Sequence, residues 1–143
     1  MREIFIDTNV IFDLLIENEP DTSFANALFE CAIRNDIVLN ICPFSLATVY
    51  YMLRKRLSHK SVLYDLGWLS KLTKSLPVNE TIINQAMKSD FRDFEDAIQY
   101  FCALQATGCE AIITRNSKDF KLSAIPVFSP ALFLGKEKFH KPH

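Results

Sequence analysis

Four short runs constrain this chain more than any other feature. REIFI (2–6), IVLNICP (37–43), AIIT (111–114) and PVFS (126–129) are mostly apolar, and helical patterns separate them. VIFDLLI follows the first run, with Thr8 or Asn9 as its expected N-cap. TSFANALFECAIRND repeats apolar residues at three and four and is expected to end near Asn35. Pro43 opens FSLATVYYMLRKRLS, and HKSVLYDLGWLSKL continues it as a helical hairpin. NETIINQAMKS starts on Asn79 as a cap, and a helix through DFEDAIQYF is expected to stop at Gly108. Apolar strands alternating with helices predict an α/β protein whose parallel sheet is covered on both faces.

At 143 residues and 49% hydrophobic, the chain is the size of one domain with a substantial core. Twelve Phe against three Gly describe an ordered interior. One domain over 1–134 is expected, followed by a polar tail, GKEKFHKPH, over 135–143. A net charge of -1 gives no global field for nucleic acid, so a polyanion would need a local patch or bound metal ions. Cys31, Cys42, Cys102 and Cys109 form no CxxC pair and, with only three His, no zinc spacing, so reduced core thiols are expected. Residues 1–6 enter a strand without a leader pattern, and no run reaches the roughly 20 apolar residues of a membrane span. A soluble, cytoplasmic protein is the expectation.

In an open parallel sheet, ligands collect where strands lead into helices. That rule selects Asp7 after the first strand, and Thr114, Arg115, Asn116 and Asp119 after AIIT. Taken alone, DTN (7–9) is equally an Asx turn or a helix cap, and TRNSKDF equally a polar turn. A third acidic group lies in SDFRDFEDAIQYF (89–101). At about 100° per residue, Phe94, Ala97, Ile98, Phe101 and Leu104 line up as an apolar stripe. Asp93 and Asp96 share one flank of it, Glu95 takes the other and faces away, and Asp90 precedes the helix as a dipole-favoured acid.

Two other stretches have both structural and functional readings. RKRLSHK (54–60) is either a solvated helix end or a phosphate grip that includes Lys55. Tyr50, Tyr51, Tyr64 and Trp68 fall in helical runs and are expected to pack rather than to stack on bases.

IFIDTNVIFDLL, CPFSLATVYYMLRK, DFEDAIQYFCAL, AIITRNSKDF and IPVFSPALFL, in this order and spacing, resemble a PIN-domain protein of the VapC-like toxin class. The resemblance spans nearly the whole chain. It implies a three-layer α/β/α sandwich with a central parallel sheet, and acids that bind Mg²⁺ or Mn²⁺ for RNA phosphodiester hydrolysis. Asp7 matches the first acid, Asp96 the acid of the EDAIQ helix and Asp119 that of the last loop. Asn116 stands where many members carry an additional Asp, and Asp93 is a helper beside Asp96. Thr48 takes the position of a common Glu, which leaves the site with fewer formal charges.

Asn116, Thr8 and Thr48 are then expected to position ligated waters or a phosphate oxygen, with Asn9 and Thr114 in support and Arg115 on the nucleic-acid backbone. The resemblance also implies a homodimer and an antitoxin that covers the groove. A degenerate PIN module that binds RNA or a protein partner without cleavage is the alternative. Other phosphoryl-transfer folds fit less well: a haloacid-dehalogenase-like phosphatase needs a second Asp at the position of Asn9, and a receiver domain places its acid pair and phosphoacceptor differently.

Overall fold

The computed structural model describes residues 2–137. Strand β1 (Arg2–Ile6) leads through Asp7 into α1 (Thr8–Leu15), followed by α2 (Asp21–Ile33) and β2 (Ile37–Ile41). Helices α3 (Pro43–Leu53) and α4 (His59–Leu72) form the hairpin, and β3 (Thr73–Ser75) follows directly. Then come α5 (Glu80–Lys88), α6 (Phe94–Ala103), β4 (Cys109–Ile113), a 3₁₀ turn (Ser117–Phe120), β5 (Val127–Phe128) and α7 (Pro130–Glu137).

The five strands form one sheet in the order β3-β2-β1-β4-β5, every pair parallel. The chain steps outward from β1 to β2 and β3, then returns across β1 to β4 and β5. Right-handed crossovers put helices on one face during the outward run and on the opposite face on the return. One apolar cluster accordingly unites Ile4, Ile6, Leu39, Ile113, Val10, Leu28, Val49, Val62 and Phe133, from α1 to α4 and α7. The other unites Phe5, Ile112, Ile82, Ala86, Ile98 and Ala103, under α5 and α6. Alternation along β1, with Ile4 and Ile6 on one face and Phe5 on the other, feeds both cores. This is the three-layer α/β/α arrangement expected.

Local details depart from the sequence reading. The cap of α1 is Asp7, whose carboxylate accepts from the Thr8 amide, rather than Thr8 or Asn9. Helix α6 ends at Ala103, five residues before Gly108, and Ala106 to Cys109 turns the chain into β4. Strand β3 has only three residues, all polar, on the sheet's edge, so no apolar run announced it. Helix α2 ends as expected, with Asn35 in the left-handed region at φ 62°. Asn79 caps α5 by accepting from the Ile82 amide. Of the expected tail, α7 runs through Glu137 and residues 138–143 lie outside the described residues.

Cys31, Cys42 and Cys102 are buried and Cys109 half-buried, all as free thiols. Tyr50 packs within α3 and bonds His59, and Trp68 stacks on Phe29, but Tyr51 and Tyr64 are 72% and 78% exposed rather than packed. Among the described residues, no helix is long and apolar enough to cross a membrane.

Leu39, fully buried in β2 between Ile4 and Thr73, has no room to be shortened without leaving a void. Leu39→Ala should lose about 2–5 kcal/mol of unfolding free energy in a urea titration, with the m-value unchanged.

Candidate active site

The reversal of direction between β1 and β4 leaves a crevice at their carboxyl ends, where Asp7 and Thr114 emerge side by side. The Asp7 amide bonds the Ile113 carbonyl at 2.9 Å, so the last ladder bond of the sheet fixes the backbone of the acid. Asp7 as a whole is only 5% exposed. Oδ1 accepts from the Thr8 amide at 2.6 Å and from Gln99 Nε2 at 2.7 Å, and Oδ2 accepts from Thr114 Oγ1 at 2.7 Å. Thr114 Oγ1 in turn accepts from Asn9 Nδ2 and the Asn116 amide, while Asn9 Oδ1 accepts from the Arg115 amide. Asn9, Thr114 and Asn116 thus hold the two loops together around Asp7.

Gln99 and Ser45, which the sequence reading missed, complete this network. Gln99 is fully buried on α6; its Oε1 accepts from the Thr8 amide at 3.1 Å, and Thr8 Oγ1 and Ser45 Oγ lie 2.7 Å apart. The Thr8 hydroxyl is therefore engaged with Ser45 and Gln99 rather than turned toward a ligated water. The available signal was Gln99's phase, one turn beyond Asp96 on the same helix.

The expected stripe on α6 is buried at Ala97 and Ile98 and partly at Phe101, but its ends are not: Phe94 and Leu104 are 51% and 43% exposed, and the buried side extends to Gln99, Tyr100, Cys102 and Ala103. Measured from Gln99, Asp96 lies roughly 60° to one side and Glu95 roughly 40° to the other, near the helix start. Both therefore straddle the line that faces Asp7. Glu95 does not face away: its Oε2 accepts from Thr48 Oγ1 of α3 at 2.6 Å. Asp93 stands just before α6 as its N-cap rather than on its flank, its Oδ1 accepting from the Asp96 amide at 2.9 Å, and Asp90 precedes the helix as expected.

Asp119 sits exposed on the 3₁₀ turn, which Phe120 anchors in the core and the Asn116 carbonyl closes through the Asp119 amide. A cavity of about 400 Å³ runs beside the acids, lined by Asp90, Asp93, Asp96 and Asp119 and by the cations Arg92, Lys118 and Lys121. The cations expected from sequence are elsewhere. Arg115 pairs with the buried Asp13 of α1 and with Asp21 of α2. Lys55 lies beyond the far end of α3, whose 11 residues span about 16 Å.

Charge ties these acids together. Burial raises the Asp7 carboxyl above the ordinary value, hydrogen bonds from Thr114, Gln99 and Thr8 oppose the rise, and Asp119 adds to it. Burial and then repulsion from Asp7, Asp93, Asp119 and Glu95 push Asp96 up to about 7. Oxygen donors that repel one another suit a hard divalent cation such as Mg²⁺ or Mn²⁺. Asp7, Asp96 and Asp119 carry the oxygen donors such an ion takes. Among the described residues, no three Asp, Glu, His or Cys side chains are already arranged to hold an ion.

Comparison with known proteins adds an independent line. The PIN domain family matches residues 3–118. The chain is 26% identical over 137 residues to ribonuclease VapC1 of Aquifex aeolicus (strain VF5), covering 92% of this chain and 93% of that protein. Among solved structures, VapC20 of Mycobacterium tuberculosis, named a Sarcin-Ricin loop cleaving toxin, matches with a TM-score of 0.59 at 19% identity over 76% of this chain and 86% of its own. VapBC2 of Rickettsia felis, bound to a DNA fragment from their promoter, matches with a TM-score of 0.65 at 15% identity over 89% and 98%. The two structures share the fold of this chain.

The raised Asp96 carboxyl predicts a pH dependence of metal-free stability. The unfolded chain releases this proton near 3.8, and the folded chain holds it to about 7. The folded state binds more protons between those values, so stability contributed by this group is complete below 3.8 and falls as pH rises through 7. In EDTA, the melting temperature of Asp96→Asn should gain on that of the unsubstituted protein between about pH 4 and about pH 8.

Proposed function

Because the chain belongs to the PIN-domain family, we propose that it is a Mg²⁺- or Mn²⁺-dependent endoribonuclease, acting in the cytoplasm as the toxin of a toxin-antitoxin pair. The observation that carries this reading is the buried Asp7 at the switch point of the sheet, bonded to Gln99 one turn from Asp96; burial and the charges of Asp7 and Asp119 lift the Asp96 carboxyl to about 7. Similarity to a protein named ribonuclease VapC1, over nearly the full length of both chains, supports it.

In this reading Asp7, Asp96 and Asp119 hold the divalent ion, and Gln99, Thr114 and the Thr8 amide keep the Asp7 carboxylate in place. A bound ion supplies an activated water and neutralises charge on the scissile phosphate. Lys118, Lys121 and Arg92 on the cavity wall grip neighbouring phosphates of a single strand, offsetting a chain whose net charge is -1. In the same reading Asn116, the N-cap residue of the 3₁₀ turn, steers the phosphate or a ligated water. Arg115 and Asp13 brace this loop against α1, a different task from contact with the nucleic acid. The exposed Tyr51 and Tyr64 on α3 and α4 offer a surface for a protein partner, either an antitoxin or a second copy. Likeness to the VapBC2 complex supports such a partner.

Cleavage of a labelled RNA should require Mn²⁺ or Mg²⁺, stop in EDTA, and fall roughly 100-fold or more in Asp7→Asn, as charge stabilisation worth several kcal/mol is lost. Cleavage that survives Asp7→Asn overturns the mechanism. RNA binding without cleavage by the unsubstituted protein would instead assign a non-catalytic module. Lys118→Glu with Lys121→Glu should weaken RNA binding to Asp7→Asn protein and flatten its dependence on salt, as counted by fluorescence anisotropy titrations.

A further inference from the structure

The cavity beside Asp96 and Asp119 has two apolar side chains in its wall that metal binding does not use, the Phe91 ring and Leu122. Leu122 is 55% exposed among charged neighbours. The two come from separate segments: Phe91 from the approach to α6, and Leu122 from just beyond the 3₁₀ turn. One group of rings sets the spacing between them. Phe91 packs on Tyr100 of α6 and on Phe120, with ring centroids 5.1 and 6.3 Å away. Phe120 is buried two residues before Leu122, and the Ala124 amide, two residues after it, donates to Tyr100 Oη at 3.1 Å. The chain on either side of Leu122 is thus tied to the same rings that seat Phe91. The apolar wall is preformed, and the volume of about 400 Å³ beside it lies within the roughly 300–1,000 Å³ of small-molecule sites.

We propose that Phe91 and Leu122 form a nucleobase pocket, which takes the unpaired base of a nucleotide next to the scissile phosphate of an RNA strand. The inference rests on the ribonuclease reading above and names where the substrate is held. Charge divides the cavity between two parts of a nucleotide. Arg92, Lys118 and Lys121 are exposed and form no ion pair among the described residues, which leaves them available to phosphates. Asp90 and Asp93 on the same wall repel phosphate but accept hydrogen bonds from the amines of a neutral base. A nucleotide satisfies both requirements at once, with its phosphate on the cations and its flat, uncharged base against Phe91 and Leu122. Inorganic phosphate alone would leave those two side chains in water. A base must also be unstacked to enter, which selects single strands, loops or bulges over duplex RNA.

The test is fluorescence anisotropy of the full chain in EDTA, where strands stay intact, with two labelled probes of equal length and charge: single-stranded RNA and an abasic ribose-phosphate chain. The unsubstituted protein should bind the RNA about 10-fold or more tightly than the abasic chain. Leu122→Ala, at an exposed position, should cut that preference about 3-fold or more while leaving affinity for the abasic chain and its salt dependence unaltered. Phe91→Leu should do the same, with the melting temperature as its control for folding. Lys118→Glu with Lys121→Glu should weaken both probes alike. Equal affinity of the unsubstituted protein for the two probes overturns this proposal alone. A preference that survives both Leu122→Ala and Phe91→Leu also overturns it, by placing the base elsewhere. Failure of the unsubstituted protein to bind either probe counts instead against RNA as the substrate, which separates the two failures.

Discussion

A buried carboxylate, Asp7, is the constraint on which the rest of this site depends. Removing such a charge from water costs several kcal/mol unless donors replace the water it loses. Three donors do so here, from three elements: the Thr8 amide at the start of α1, Gln99 on α6 and Thr114 after β4. Because α1 and α6 lie on opposite faces of the sheet, satisfying one side chain fixes the relative position of both layers. The surrounding acids inherit that order. Asp96 is one turn before Gln99, and Asp119 follows the loop that begins at Thr114, so both are set at distances where their charges oppose Asp7.

Topology explains why donors and acids meet at this edge. The outward run β1-β2-β3 and the return to β4-β5 part company beside β1, and the crevice left there exposes loop ends rather than strand backbone. Apolar side chains fill the sheet below it on both faces. Polar groups are thus concentrated at the top, where α3 and α6 close over the strand ends through Ser45, Thr48, Glu95 and Gln99. The rigid, dry base holds the buried Asp7 and the half-buried Asp96 where their charges oppose one another, while Asp119 stands exposed at the rim.

Much of the fold was legible because it follows from periodicity. REIFI, IVLNI and AII became central strands, and the helices between them formed where apolar residues recurred at three and four. Chain direction after each strand then placed Asp7 and Thr114 at one edge. Phase was only half right on α6, a helix with apolar residues on nearly every side. Ala97 and Ile98 of the expected stripe are buried and Phe101 is partly so, but its ends Phe94 and Leu104 are exposed and the buried side widens to Gln99, Tyr100, Cys102 and Ala103. That wider buried arc hid Gln99 and the contact of Glu95 with Thr48. Strand β3 was missed for a simpler reason: three polar residues on an edge carry no alternation to read.

By itself the sequence determined the helices from α1 to α6 and every strand but β3, that their sheet is parallel, and which acids follow its strands, since all three depend on local pattern and chain order. Tertiary structure alone decided the partners: Gln99 and Thr114 on Asp7, Arg115 on Asp13, Lys118 and Lys121 on the cavity wall, and Thr48 against Glu95. The physical reason is that hydrogen bonds and charge interactions act over a few ångströms between residues as far apart in sequence as Asp7 and Thr114, 107 positions, and only the closed sheet sets those distances.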